Sequence, residues 1–342
     1  MTGANTRIET EQVNACAACG QPGQIAFQDC FDHVCGLPGN WTFWKCPSCR
    51  SLWPNPRPVE SALPLLYPEN YTFTRTDDAL DSAFPTGLNG SIKLAILERF
   101  YGYDFLTQNT DRPLGISLGR MLGWLFRCKA GHSVRFLRKR ADGKLLDVGC
   151  GNGAFIHWMQ RLGWNVEGIE VDRLAAQRAI DRGLAVHIGN VEDIDLPSAS
   201  FDAITLTHVT EHLFHPKRIF EILRDSLKPG GILISISPNP AGIVRRIFQN
   251  KWYALDPPRH LFLPSAAAYR RMLEPLGFEV ATWTSMRLFH WVFKESLSIA
   301  TKRGIGCVAD SVLLKLATRT LAALFSCLPE AGEEVICYAT KR

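Results

Sequence analysis

At 342 residues, with 46% hydrophobic and 10% aromatic content, the chain has apolar material for one average domain and a small satellite, which excludes a disordered protein. Its 38 Lys and Arg against 33 Asp and Glu leave a net charge of only +5, and the positive residues are scattered apart from short clusters such as Arg135, Arg138, Lys139 and Arg140. Nucleic acid is therefore not indicated as a partner. The stretch from Thr2 to Asn14 is polar, so no secretory signal is expected and a cytoplasmic location is the default.

Residues 1–58 are rich in Cys, Gly and Pro and hold six of the eleven cysteines. Cys16-x-x-Cys19 and Cys46-x-x-Cys49 form two matched knuckles 26 residues apart, a spacing suited to one tetrahedral, structural zinc ion. Such a metal supplies folding energy to a segment too short to build its own core. Cys30 and Cys35 lie between the knuckles and are treated as spare. The run Pro54-Asn55-Pro56-Arg57-Pro58 reads as the start of a linker. From 59 to 142 a linker and a helical bridge or lid are expected, with one helical pattern around Ile92, Leu97 and Phe100 and another around Leu118, Leu122, Leu125 and Phe126.

From residue 143 onward strand-like and helical runs alternate. Strands are predicted at Leu145 to Val148, Val166 to Ile169, Val186 to Ile188, Ala203 to Leu206 and Ile232 to Ile236, with helices from about 153, 173 and 217 between them. This is the rhythm of a parallel sheet with helices on both faces. A helix near 265 to 276 and a strand around 278 to 284 continue it, and Glu334 to Ala339 is expected to close the sheet. The region from about 288 to 330 reads as a helical insertion. Its most apolar part, Ser311 to Leu328, is interrupted by Lys315 and Arg319 and falls short of the roughly 20 clean residues of a membrane span, so contact with a membrane is expected to be peripheral at most.

Asp147-Val148-Gly149-Cys150-Gly151-Asn152-Gly153 sets a strand end, a glycine turn and a helix start in succession. Glycine lets the backbone turn sharply and approach a ligand closely. Glu170 ends the next strand, 21 residues after Gly149, where a carboxylate can accept hydrogen bonds from both hydroxyls of a ribose. An acid two residues before the first glycine suits an ammonium group and would repel a pyrophosphate, so Asp147 argues against a dinucleotide.

Together with Phe201-Asp202-Ala203-Ile204 and Leu227-Lys228-Pro229-Gly230-Gly231, these motifs resemble those of class I S-adenosylmethionine (SAM)-dependent methyltransferases. The resemblance implies a Rossmann-like, seven-stranded α/β sheet with an antiparallel last hairpin. It also implies a SAM site of Asp147, Gly149, Cys150, Gly151, Gly153 and Glu170, with Asn190 and Val191 toward the adenine. Asn190 stands where the family usually has an acid. His208 in His208-Val209-Thr210-Glu211-His212 would adjoin the cofactor, at the position where some relatives carry the first Glu of a divalent site. His212, assisted by Glu211, is the first candidate base, and His260 the second. Arg259, in Pro257-Pro258-Arg259-His260, is expected to bind a phosphate or carboxylate of the acceptor. The N-terminal module with this core resembles bacterial methyltransferases of sugar, polysaccharide and natural-product pathways. The expected acceptor is an oxygen or carbon of a sugar or glycan precursor, nucleotide-linked or free, against alternatives of RNA or protein methylation and of non-catalytic SAM binding.

Overall fold

The computed structural model describes residues 8–67, 87–104, 106 and 113–342. The expected linker over 68–86 lies outside the described residues, as do the side chains of Leu122 and Leu125.

The N-terminal module is built from β1 (Thr10–Glu11) paired with β5 (Arg57–Pro58), and from the antiparallel sheet β2 (Gln24–Cys30), β3 (Trp41–Lys45) and β4 (Leu52–Pro54). Too short for a private core, it packs its buried Cys16, Cys46, Cys49 and Trp53 into the same apolar cluster as the main sheet. A β-bridge from Leu52 to Leu263 joins the two parts by backbone. A short helix α1 (Leu63–Leu66) follows.

The helical bridge consists of α2 (Gly87–Tyr101) and α3 (Pro113–His132). They approach closely because Gly115, Gly119 and Gly123 recur every four residues along α3; a Cβ on Gly119 would lie 2.7 Å from the Ile92 carbonyl oxygen and 2.8 Å from Ala95 Cβ. Leu94, Ile96, Leu97, Tyr101 and Ala130 of this hairpin bury against one sheet face, so it is a structural layer.

The sheet contains β6 (Lys144–Val148), β7 (Asn165–Glu170), β8 (Val186–Ile188), β9 (Phe201–Thr207), β10 (Leu227–Pro238), β11 (Phe278–Ser285) and β12 (Glu334–Lys341) in the order β11-β12-β10-β9-β6-β7-β8. Only β12 runs against its neighbours, and it lies between β10 and β11, making with β11 the expected antiparallel last hairpin. The middle strands are apolar on successive residues because both faces are covered. Leu146, Val148, Ile204, Leu206 and Leu233 face α6 (Pro216–Ser226) and α8 (Ala266–Leu273), whereas Leu145, Ala203, Ile234 and Ile236 face the α2/α3 hairpin and α4 (Ala154–Arg161). Burying side chains of this size contributes about 1.5–3 kcal/mol each. Helix α5 (Arg173–Asp181) is capped by Asp172, which accepts from the Leu174 and Ala175 amides.

After β10 come α7 (Ile243–Phe248) and the Pro257-Pro258 loop, and after β11 the insertion α9 (Phe289–Ala300) and α10 (Val312–Phe325). Among the described residues no helix is long and apolar enough to cross a membrane.

Candidate active site

The carboxyl ends of β6, β7, β8 and β9 carry the expected residues to one rim of the sheet, where ligands bind in open α/β folds. Gly149, Gly151 and Gly153 all have positive φ. Each has a different reason to be glycine. A Cβ on Gly149 would fall 2.4 Å from Val209 Cγ2, and one on Gly153 2.5 Å from Leu184 Cδ1, whereas one on Gly151 would meet nothing within 4 Å. Open space thus lies over the middle of the turn. Glu170, almost fully buried, accepts from the Gly151 amide at 2.7 Å and from the Asp172 amide at 2.9 Å, which aims its carboxylate along the rim. Asn190 is exposed and its amide nitrogen contacts Asp193 Oδ2 at 3.3 Å, leaving the amide oxygen as an acceptor. Cys150 and Val191 are buried beside the turn and behind the rim.

Asp147 is fully buried. Its Oδ1 accepts from the Thr205 hydroxyl at 2.8 Å and from the Arg135 guanidinium, while Oδ2 has no hydrogen-bond partner among the described residues. Burial raises its carboxyl above the usual range despite the Arg135 charge. Arg135 went unnoticed as a site residue because only its cluster of positive neighbours stood out in the sequence. It leaves the end of α3 with φ +46° and stacks 3.6 Å from the Phe155 ring centre. The orphaned carboxylate oxygen, the open glycine turn and the Glu170 carboxylate fit the ammonium and ribose of SAM.

Val209 links the glycine turn to the segment that follows β9. His208 adopts φ +55° and sits between two buried acids, Nδ1 3.2 Å from Glu211 Oε1 and Nε2 3.3 Å from Glu334 Oε1. Burial works against its charge, yet those two carboxylates outweigh it and lift His208 to about 9, so it is an imidazolium at neutral pH. Burial likewise works to raise Glu211, but His208 holds it below the ordinary carboxylate value. Glu334 also meets His132 Nε2 and Arg287 Nη2, each at 3.1 Å. The only sign of Glu334 in the sequence was an acid at the mouth of an apolar strand.

His212 and His260 meet edge to face with ring centres 4.8 Å apart. His260 Nδ1 lies 2.8 Å from the Ala254 carbonyl and His212 Nδ1 3.1 Å from the Arg259 carbonyl. A carbonyl only accepts, so each Nδ1 carries a proton toward it. The Tyr67 hydroxyl, 2.9 Å from His212 Nδ1, completes the setting. Burial, then the neighbouring His260, push His212 down to about 4, which keeps it neutral. Glu211 Oε2 has no partner among the described residues, and ligand atoms of Glu211, His212 and His260 all lie within 4.8 Å of one another.

Arg259 does not face this space. Its guanidinium is wholly buried and donates to Asp256 at 2.6 and 3.0 Å and to Asp32 of the N-terminal module at 2.6 and 3.0 Å. The expected contact with an acceptor anion is replaced by an internal tie, because two carboxylates already occupy the guanidinium fork.

In the module, Cys16 and Cys49 sulfurs are 3.4 Å apart, Cys19 and Cys46 3.4 Å, and Cys19 and Cys49 4.0 Å. Tetrahedral Zn–S bonds require sulfurs about 3.8 Å apart, so this set fits one ion. Cys30 and Cys35 stand outside the cluster.

A sheet of this order with one reversed strand, a glycine turn after the first core strand and an acid after the second define the class I SAM-dependent methyltransferase fold. Residues 123–282 match a family model described as a methyltransferase domain. Proteins named ubiquinone biosynthesis O-methyltransferase are similar to it: one from Xanthomonas axonopodis pv. citri is 30% identical over 42% of this chain and 61% of its own length, and one from Cereibacter sphaeroides 33% identical over 32% and 47%. The chain thus spans about half to three-fifths of these curated relatives. A SAM-dependent methyltransferase from Mesorhizobium loti aligns over 62% of this chain and 97% of its own, at 16% identity and TM-score 0.44.

Proposed function

We propose that this protein transfers the methyl group of SAM to a hydroxyl of a small acceptor, a sugar or glycan precursor being the class favoured by its combination of modules. The observation that carries an oxygen acceptor is the His212–His260 pair: two imidazoles packed edge to face, each with Nδ1 held by a carbonyl, next to Glu211. The relatives named as O-methyltransferases support the same choice. SAM supplies an electrophilic methyl, so the residues of the chain have to align the hydroxyl and take its proton. His260 is the leading base and His212 its partner, with Glu211 balancing the charge that forms. His208, already protonated between Glu211 and Glu334, is a positioning residue. Glu170 would hold the ribose, Asp147 the ammonium through its unpartnered oxygen, the glycine turn the methionine chain, and Asn190 with Val191 the adenine. Cys16, Cys19, Cys46 and Cys49 would bind one structural zinc.

Calorimetric titration of zinc-replete protein with SAM tests this. Saturable binding is expected in the wild type and in His260→Asn, and at least tenfold weaker binding in Glu170→Ala. With a hydroxyl acceptor found by screening nucleotide sugars, glycans and phenols, His260→Asn should lose about 10²- to 10⁴-fold in kcat. A folded wild type that does not bind SAM overturns the reading.

A further inference from the structure

Two helices outside the site turn apolar faces to solvent. On α3, Leu114, Met121 and Trp124 are each about 65% exposed and recur at helical spacing, on a face away from the glycines that contact α2. On α10, Val312, Leu313, Leu316 and Leu324 are between 62% and 81% exposed, while Thr318, Leu321, Ala322 and Phe325 turn inward, Thr318 onto His290 and the others onto an apolar cluster shared with Phe289 and Trp252. Single exposed apolar residues are ordinary, but two helices that are apolar on both faces are not.

The stretches that carry these faces are basic along the sequence. From Pro113 to Arg140 there are seven Lys and Arg and no Asp or Glu, although the whole chain is nearly balanced. From Ser311 to Pro329 there are Lys315 and Arg319 and again no acid. Four of the seven on the first stretch are paired with acids from elsewhere, Arg120 with Glu98, Arg135 with Asp147, Lys139 with Asp104 and Arg140 with Asp202, and on the second Lys315 pairs with Asp310, the residue just before that stretch. No ion pair is recorded among the described residues for Arg127, Lys129, Arg138 and Arg319. A protein partner of ordinary composition would not require acid to be absent over both stretches. An anionic bilayer does, since each carboxylate near its surface is repelled and each Lys or Arg attracted by about 1 kcal/mol. Apolar residues including Trp, with Lys and Arg at the flanks, are the composition of a helix that lies in the headgroup region.

We propose that the exposed faces of α3 and α10 are each docking elements for an anionic phospholipid bilayer, with Met121 and Trp124 of one helix and Leu313 and Leu316 of the other entering the headgroup layer. Binding is peripheral, because neither helix can span. The inference does not depend on which acceptor is methylated.

The test is co-sedimentation of the full, zinc-replete chain with vesicles of phosphatidylcholine alone and of equimolar phosphatidylcholine and phosphatidylglycerol. Wild type should partition at least tenfold more strongly onto the anionic vesicles, and the preference should shrink with added salt. The double variants Met121→Gln/Trp124→Gln and Leu313→Gln/Leu316→Gln should each lower partitioning about tenfold while circular dichroism and SAM binding stay unchanged. Equal partitioning of wild type and variants overturns the proposal, as does absence of wild-type binding. So does light scattering that shows a wild-type dimer dissociated by either variant without any vesicle binding, which would assign the faces to a second copy of the chain.

Discussion

Replacing Asp32 by Ala strikes a contact through which the N-terminal module grips the Pro257-Pro258 loop by charge. Asp32 takes two bonds from the Arg259 guanidinium and three from the amides of Val34, Cys35 and Leu37, and both charged groups are shut off from solvent. The substitution leaves Arg259 buried with Asp256 as its remaining carboxylate. Removing one member of such a buried pair costs about 3–5 kcal/mol, mostly as the penalty of a cation under-compensated in low dielectric. The three amides add little if the loop opens to water. Urea denaturation of zinc-replete protein, followed by fluorescence, should show the midpoint falling accordingly. The double variant Asp32→Ala/Arg259→Met should cost less than the sum of its single changes by about 1–3 kcal/mol, because it removes the stranded charge. A loss under about 1 kcal/mol for Asp32→Ala, or strict additivity in the cycle, would refute the assignment of Arg259 as an internal tie and reopen its expected role toward an acceptor.

Gly119→Leu should destabilise the α2/α3 hairpin by about 1–3 kcal/mol or more, read as a lower thermal midpoint, since even a Cβ there meets the Ile92 backbone. Burial lifts the Glu333 carboxyl from 4.5 in the open chain to about 8 in the fold, so its contribution to stability is fully present below pH 4.5 and is lost as pH rises through 8. Glu333→Gln keeps an acceptor for the Val244 amide and should therefore flatten the decline in melting temperature between those values, by up to a few degrees at pH 8. Stripping zinc with a chelator, or Cys46→Ser, should unfold the module and lower the midpoint of the whole chain in a single transition, because the two parts share one apolar cluster; two separate transitions would contradict that sharing.

The sheet was legible because its strands are short apolar runs punctuated by Gly and by helix caps. Val186–Ile188 falls where it was predicted, and the helix starts near 153, 173 and 217 lie within a residue of the observed ones. The pairing of β12 with β11 came from the family resemblance and not from local sequence: a strand's neighbours depend on long-range pairing, and nothing local in Glu334–Lys341 tells an edge from an interior slot. The same holds for side-chain roles. Cys16, Cys19, Cys46 and Cys49 assemble as their spacing required, since ligands for one ion are set by local turns. Arg259 was misjudged because its partner Asp32 is 227 residues away. Glu334, Tyr67 and Arg135 were missed for a like reason, each reaching the site from an element whose sequence carries no motif.

Ser265 holds a small junction with a large reach. Its hydroxyl donates to the carbonyl of Cys49 and accepts the Ala268 amide, so one oxygen closes a cysteine knuckle and caps α8. Tyr269, the next turn along, sends its own hydroxyl to Ser235 and Ser237 in the middle of the sheet. The cysteine knuckle is in this sense tied, through the first turn of α8, to a set of hydroxyls that ends where Ser235 meets Thr210 beside Glu211. An N-terminal truncation would therefore not release a ready-made catalytic unit; it would take away the carbonyl that holds the Ser265 hydroxyl in its capping position.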